Sequence, residues 1–271
     1  MTYGKKDIPK LAFGTFPLKG KAAYNAVQMA LEVGYRHLDT AQMYQNEIDL
    51  GKAIKTSGLA MDKIFLTTKI LPLNYSEDRF IDSLKKSCEE LQVDKVDMLL
   101  LHWPPISQPL EPILDLLEYS LELGLSDRIG ISNFTSYQME LACKYLKHAI
   151  AVNQIEFHAY LDQSKIIKKS SSLKIQLMAY CSLARGQVIS DPIISKIAEH
   201  HSVNAGAVAL NWIIQQGVIP TVLSTNRARA LSNIESLKLK LDAEEIKQIT
   251  KLTQKNIRLV SPSGLSPKWD E

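Results

Sequence analysis

Eight short β-branched or apolar runs recur along this chain, each followed by a longer stretch of helical apolar periodicity, and this alternation constrains the fold most tightly. The runs are Leu11–Phe13, Tyr35–Leu38, Ile64–Thr68, Val96–Leu101, Ile129–Ser132, Val152–Ile155, Ile175–Ala179 and Val218–Val222. Amphipathic stretches fill the intervals, around Ala22–Val33, Glu47–Ser57, Glu77–Gln92, Ile113–Leu123, Tyr137–Ala149, Lys165–Ser171 and Ile193–Gln216. The last of these breaks near Ser202–Asn204 into two helices, and further helices follow over Arg227–Ser236 and Ala243–Leu252. Asp191-Pro192 marks a helix start, with proline in the first turn. Strands alternating with helices form a parallel sheet covered by helices, and eight such units predict an α/β fold, the (β/α)8 TIM barrel with extra C-terminal helices. An open doubly wound sheet is the rival, but it would carry a glycine-rich turn after its first strand, and no GxGxxG occurs. A turn near Gly4–Asp7 predicts an N-terminal β-hairpin closing the barrel floor. No Pro/Gly/Ser-rich linker interrupts the pattern, so residues 1–271 read as one barrel domain.

The 271 residues give each unit about 34, room for a strand, a helix and short connections. Trimmed loops predict an open mouth that tolerates a range of small ligands. Thirty-two Lys+Arg against 29 Asp+Glu leave a net charge of +3 with no basic arm, which argues against a nucleic-acid partner. Apolar runs such as Met98–Leu101 fall far short of the ~20 residues a membrane span needs, and MTYGKKDIPK has no apolar signal region, so a cytoplasmic protein without a membrane partner is expected. Cys88, Cys143 and Cys181 are odd in number and widely spaced, which predicts neither a disulfide framework nor a zinc cluster. His200-His201 reads as solvated surface, and with no HExxH spacing no metal site is expected.

Chemistry in such a barrel gathers at the carboxyl ends of the strands. The residues there are Asp39, Lys69, His102, Ser132-Asn133, Gln154 with Glu156, and Tyr180, with Tyr44 five residues beyond Asp39. A single polar residue at a strand end has an ordinary explanation, since strand ends meet water; six in phase point to a site. A phenol with a pKa of ~10 is a poor acid at neutral pH, and a neighbouring ammonium lowers that value. Lys69 supplies the ammonium, Asp39 keeps it charged and aimed, and a neutral His102 orients a carbonyl oxygen by hydrogen bonding. The set suits proton donation to a carbonyl while an external nucleophile attacks its carbon. Two other readings stand beside this one: a Schiff-base aldolase using Lys69, and a non-catalytic barrel that senses a cofactor or docks a partner.

These residues resemble the aldo-keto reductases. Gly34-Tyr-Arg-His-Leu-Asp39-Thr-Ala with Tyr44 and Asn46-Glu47, then Leu101-His102-Trp103-Pro104, Ile129-Gly-Ile-Ser-Asn133-Phe134 and Asn153-Gln154-Ile155-Glu156 keep the family's order from about Gly14 onward. The tail Arg258-Leu-Val-Ser-Pro-Ser-Gly-Leu-Ser-Pro-Lys-Trp-Asp270 is similar to that of short bacterial members acting on 2,5-diketo-D-gluconate and methylglyoxal. The resemblance implies an NADP-dependent oxidoreductase of the alcohol dehydrogenase type, with NADPH/NADP+ as cofactor, a small carbonyl compound as substrate and a monomeric state. It makes Tyr44 the general acid, Asp39 and Lys69 its tuning pair and His102 the substrate-positioning group. Ser132, Asn133 and Gln154 would hold the nicotinamide carboxamide, Tyr180 would stack on the ring, and Leu183, Arg185 and Gly186 would approach the pyrophosphate. Thr15 and Asn233 complete the implied cofactor contacts, while Phe16 and Trp103 would wall the substrate pocket. Three departures stand out. Cys181-Ser182-Leu183 replaces a common Ser-Pro-Leu, and loss of the proline predicts a looser loop. Phe16 replaces a common Trp. The usual Lys-Ser pair after the last strand is replaced by a segment containing Ser224, Thr225, Arg227 and Arg229 at a helix start, a setting that still favours a phosphate and hence NADP(H).

Overall fold

The computed structural model describes residues 6–270. Eight parallel strands close into a barrel in chain order: β1 (Ala12–Gly14), β2 (His37–Asp39), β3 (Phe65–Ile70), β4 (Met98–Leu101), β5 (Ile129–Ser132), β6 (Val152–Glu156), β7 (Gln176–Tyr180) and β8 (Ile219–Val222), with β1 pairing to β8. Around them lie α1 (Gly20–Val33), α2 (Glu47–Thr56), α3 (Phe80–Leu91), α4 (Glu111–Glu122), α5 (Ser136–Tyr145), α6 (Ser164–Leu173), α7 (Pro192–His200), α8 (Ala205–Gln215) and α9 (Arg227–Glu235), followed by α10 (Ala243–Lys251). The expected TIM barrel with extra C-terminal helices is therefore the fold. The break between α7 and α8 has a local cause: Ser202 takes a left-handed backbone (φ 53) and Asn204 Oδ1 caps the new helix by accepting from Ala207 N at 2.8 Å.

Period-two alternation sorts the strand residues into two cores. Leu66, Leu99, Ile131, Ile155 and Leu177 join the large cluster beneath the helices. Their alternates Ala12, Phe65, Met98, Leu100, Val152, Met178 and Ile219 form a separate cluster, the filling of the barrel. Gly130 belongs to this inner set, and glycine is required there. A Cβ would stand 2.6 Å from Leu100 Cδ2 and 2.8 Å from the Val152 carbonyl oxygen. Further along the same faces come Asp39, Lys69, His102, Ser132, Gln154, Glu156 and Tyr180. The polar strand ends are thus in phase with the barrel interior and converge on its mouth.

Of the expected N-terminal hairpin, residues 1–5 lie outside the described residues, and Lys6–Lys10 form no strand. Side chains close the floor instead. Lys6 Nζ pairs with Asp97 at 2.8 Å and donates to the Met61 and Ile64 carbonyls at 2.8 and 2.6 Å, while Ile8 packs on the inner cluster. A plug held this way needs no ladder.

Candidate active site

At the centre of the mouth, the fully buried Lys69 spends its three N–H donors on three oxygens: Asp39 Oδ1 at 2.6 Å, the Thr40 carbonyl at 2.8 Å and Tyr44 Oη at 3.3 Å. The other Asp39 oxygen accepts from Gln154 Nε2 at 2.7 Å, and Thr15 Oγ1 donates to the Asp39 carbonyl at 3.0 Å. Tyr44 ends a separate 3-10 turn, Gln42–Tyr44, rather than starting α2. Gln42 anchors that turn, its Nε2 donating to the Ser83 carbonyl and Ser87 Oγ while its Oε1 accepts from Leu71 N and Asn74 Nδ2. The Tyr44 ring lies 5.6 Å from the His102 ring, edge to face, and 5.1 Å from Phe16.

Burial sets the protonation states. It would depress the Lys69 ammonium, but the Asp39 carboxylate and the Tyr44 phenol raise it above the usual lysine value. Burial likewise raises Tyr44 above 10, and the pull of Lys69 does not overcome it. This reverses the expected direction: Tyr44 rests as a protonated phenol, whose hydrogen Lys69 leaves in place. Burial and then Lys69 hold His102 well below the ordinary histidine range, so its ring is neutral, and its Nδ1 is buried without a partner among the described residues.

Beside this group, Ser132, Asn133, Gln154 and Tyr180 form one network. Asn133, in a left-handed conformation (φ 65), donates from Nδ2 to the His102 carbonyl at 3.0 Å and to Ser132 Oγ at 3.2 Å. Its Oδ1 accepts from Tyr180 Oη at 2.7 Å, and Ser132 Oγ donates to the Gln154 carbonyl at 2.8 Å. Past β7 the backbone is left-handed at Ala184, Arg185 and Gly186, and open space lies beyond the Gly186 α-carbon. Leu183 is half-buried there, and the loop is tied rather than loosened, because Ser182 Oγ donates to the Thr221 and Ala179 carbonyls at 3.0 and 3.2 Å. At the start of α9, Ser224 is buried, Thr225 and Arg229 are exposed, and Asn226 caps Arg229 N at 3.0 Å. Arg227 pairs with Glu32 at 2.6 Å, which leaves Arg229 as the arginine of this segment without an ion pair among the described residues. Asn233 is buried on the same helix.

The site extends beyond the sequence-predicted set, because the tail crosses the mouth. Glu156, buried at the end of β6, accepts from Leu259 N at 2.6 Å, Val260 N at 2.8 Å and His158 Nε2 at 2.9 Å. Arg185 donates to the Leu259 carbonyl at 3.1 Å, so it holds the tail. Trp269 packs edge-on against the buried Trp103 at 6.3 Å, under the Arg258 guanidinium at 3.9 Å. Asp270 accepts from Ser136 N, at the α5 amino terminus, at 2.8 Å. The mouth is therefore walled on one side rather than open. An aromatic residue in an aperiodic tail was the available signal, since Trp seldom stays in water when a wall is within reach. Glu156→Gln turns an amide N–H2 toward N–H donors and removes charge-assisted bonds, weakening the tail's attachment by about 2 kcal/mol. Limited proteolysis of the variant is expected to cut near Leu259 several-fold faster than wild type; equal rates would show that Glu156 does not hold the tail.

Comparison with known proteins gives concordant results. The profile described as "Aldo/keto reductase family" matches residues 10–254. Methylglyoxal reductase DkgB of Escherichia coli O157:H7 is 41% identical over 268 residues, covering 97% of this chain and 99% of that protein. Glyoxal reductase of Bacillus subtilis (strain 168) is 31% identical over 249 residues, covering 92% and 90%. A crystal structure of a candidate 2,5-diketo-D-gluconic acid reductase B superposes with a TM-score of 0.95 at 40% identity, covering 97% of this chain and 94% of that one.

Proposed function

Because the chain belongs to the aldo/keto reductase family and is an oxidoreductase acting on carbonyl compounds, we propose that it reduces small aldehydes and ketones with NADPH, Tyr44 delivering the proton. The observation that carries this reading is the buried Lys69 joined to both Asp39 and Tyr44, with a neutral His102 ring beside the phenol. The residues at the mouth fit a nicotinamide dinucleotide. Ser132, Asn133 and Gln154 offer amide and hydroxyl groups, and Tyr180 offers a flat ring tied to Asn133. Leu183, Arg185 and Gly186 border the open turn after β7, and Thr15 is buried just past the end of β1. The first N–H groups of α9, with Ser224, Thr225 and Arg229, suit a phosphate, and Asn233 lies one helical turn further on.

When bound, NADPH supplies the hydride that attacks the carbonyl carbon. The chain's own groups handle the oxygen. Neutral His102 donates a hydrogen bond to the carbonyl oxygen and fixes its direction. Tyr44 gives its proton to that oxygen as negative charge develops, and the Lys69 ammonium stabilises the phenolate left behind. Asp39 keeps Lys69 charged, with Gln154 holding the second Asp39 oxygen. A lysine buried, charged and fully hydrogen-bonded has no lone pair for an imine, which argues against the aldolase reading. Phe16, Trp103 and Trp269 give the pocket flat apolar walls, suited to compact activated carbonyls. Methylglyoxal and diketo-gluconate-like keto-sugars are suggested by the names of the relatives.

The test is a panel of these carbonyls followed by NADPH absorbance, repeated with NADH. NADPH is expected to be preferred. Arg229→Ala should raise the KM for NADPH roughly tenfold, the loss of about 1.4 kcal/mol of phosphate binding, and leave that for NADH unchanged. Equal losses for both cofactors would remove the phosphate assignment.

A further inference from the structure

Outside the cluster at the mouth, the end of α7 and the first turn of α10 bring His200, His201 and Glu245 together, and we propose that these residues bind one divalent transition-metal ion of the zinc, nickel or copper class. The sequence predicts a solvated histidine pair; the structure gives it a carboxylate partner 44 residues further along the chain. His200 Nδ1 lies 3.0 Å and His201 Nε2 2.9 Å from Glu245 Oε1, and His201 Nε2 is also 2.9 Å from Oε2. Consecutive residues inside a helix point apart. Here α7 ends at His200, and the pair presents opposite ring nitrogens, so two donors meet at one carboxylate with ring centroids 4.8 Å apart.

The carboxylate is fixed before any ion arrives. Glu245 Oε2 accepts from Asp242 N at 2.9 Å as part of the α10 capping box, and its side chain is 10% exposed. Hydrogen bonds of this kind orient metal ligands. Tetrahedral zinc with ligand bonds of ~2.0–2.1 Å sets its donor atoms ~3.3 Å apart. The two nitrogen–oxygen edges, at 2.9 and 3.0 Å, are already close to that length. All donor atoms lie within 4.8 Å, so the nitrogen–nitrogen edge is the one that must close, and His200, with its side chain 73% exposed, is free to swing. On binding, each imidazole turns the lone pair of the nitrogen facing Glu245 toward the ion, with its ring proton on the other nitrogen. Two imidazoles and one carboxylate suit zinc, nickel or copper, whereas calcium and magnesium take oxygen shells. The pairs His148–Glu118 and His158–Glu156 lack a third such donor among the described residues.

Chelator-treated full-length protein titrated with zinc chloride at neutral pH, by calorimetry, is the test, with Co2+ visible absorption as the second readout. One equivalent of zinc and the d–d absorption of a tetrahedral nitrogen/oxygen site are expected. His200→Asn and His201→Asn should each weaken zinc binding at least tenfold. His200→Asn leaves the Glu245–His201 contact in place, so folding is preserved. Unchanged affinity in both variants would assign the zinc to the thiols or other histidines and overturn the proposal, as would the absence of heat and of Co2+ absorption with wild type.

Discussion

Tyr44→Phe is expected to lower kcat roughly a thousandfold while NADPH still binds as tightly as to wild type. The substitution deletes one oxygen and keeps the ring that packs against Phe16 and His102. Lys69 retains two of its three acceptors, Asp39 Oδ1 and the Thr40 carbonyl, so the ion pair and the fold survive. What disappears is the hydroxyl that meets the developing alkoxide. Without it, negative charge builds on an oxygen facing only a neutral imidazole, and the barrier rises by the ~4 kcal/mol that a thousandfold represents. Burial raises the phenol above its ordinary value, so wild-type Tyr44 enters the reaction fully protonated at neutral pH. Single-turnover kinetics with methylglyoxal, beside NADPH quenching of tryptophan emission, separates chemistry from binding. A variant within tenfold of wild-type kcat would remove Tyr44 from the mechanism.

Much of this architecture was legible because period and punctuation both leave strong marks. The expected run Ile129–Ser132 is β5 residue for residue, and the break near Ser202–Asn204 is where Asn204 caps α8. The mouth residues stand at the carboxyl ends of the apolar runs, and interior-facing positions alternate strictly along a strand, so a polar residue in phase with the inner core marks the mouth. The features that escaped have no period. The Gln42–Tyr44 turn is too short to show one, and the tail reaches Glu156 from over 100 residues away through backbone N–H groups that any sequence would supply. The direction of the Tyr44 shift depends on burial, which neighbouring residue types do not reveal; the sequence showed the lysine that lowers the value and not the walls that raise it. The same holds for His200 and His201, whose environment is set by a glutamate on another helix.

Lys69→Met should destabilise the fold by about 3–5 kcal/mol as well as abolish turnover, because it strands a carboxylate. Asp39 is 2% exposed, and without the ammonium only Gln154 Nε2 and the surrounding dipoles face its charge. Asp39→Asn strands the opposite charge: Lys69 keeps the Thr40 carbonyl and Tyr44 Oη but loses its counter-ion. The double variant Asp39→Asn/Lys69→Met buries no charge, so it should recover at least half of the stability lost by Lys69→Met, measured as the urea midpoint. Its activity should not return, since the double variant still lacks the ammonium beside Tyr44. Stability and turnover therefore separate within one cycle: a folded, inactive double variant assigns Lys69 a chemical role beyond its structural one. The pH dependence gives an independent check. The folded-state pKa of Lys69 is raised, so its contribution to stability is complete below the ~10.4 of a free lysine and is lost as pH climbs through the folded value. Wild type should thus lose its advantage over Lys69→Met only under strongly alkaline conditions. A single Lys69→Met variant as stable as wild type at neutral pH would mean that the Asp39 carboxylate needs no partner, and the ion pair would cease to explain why both residues are buried together.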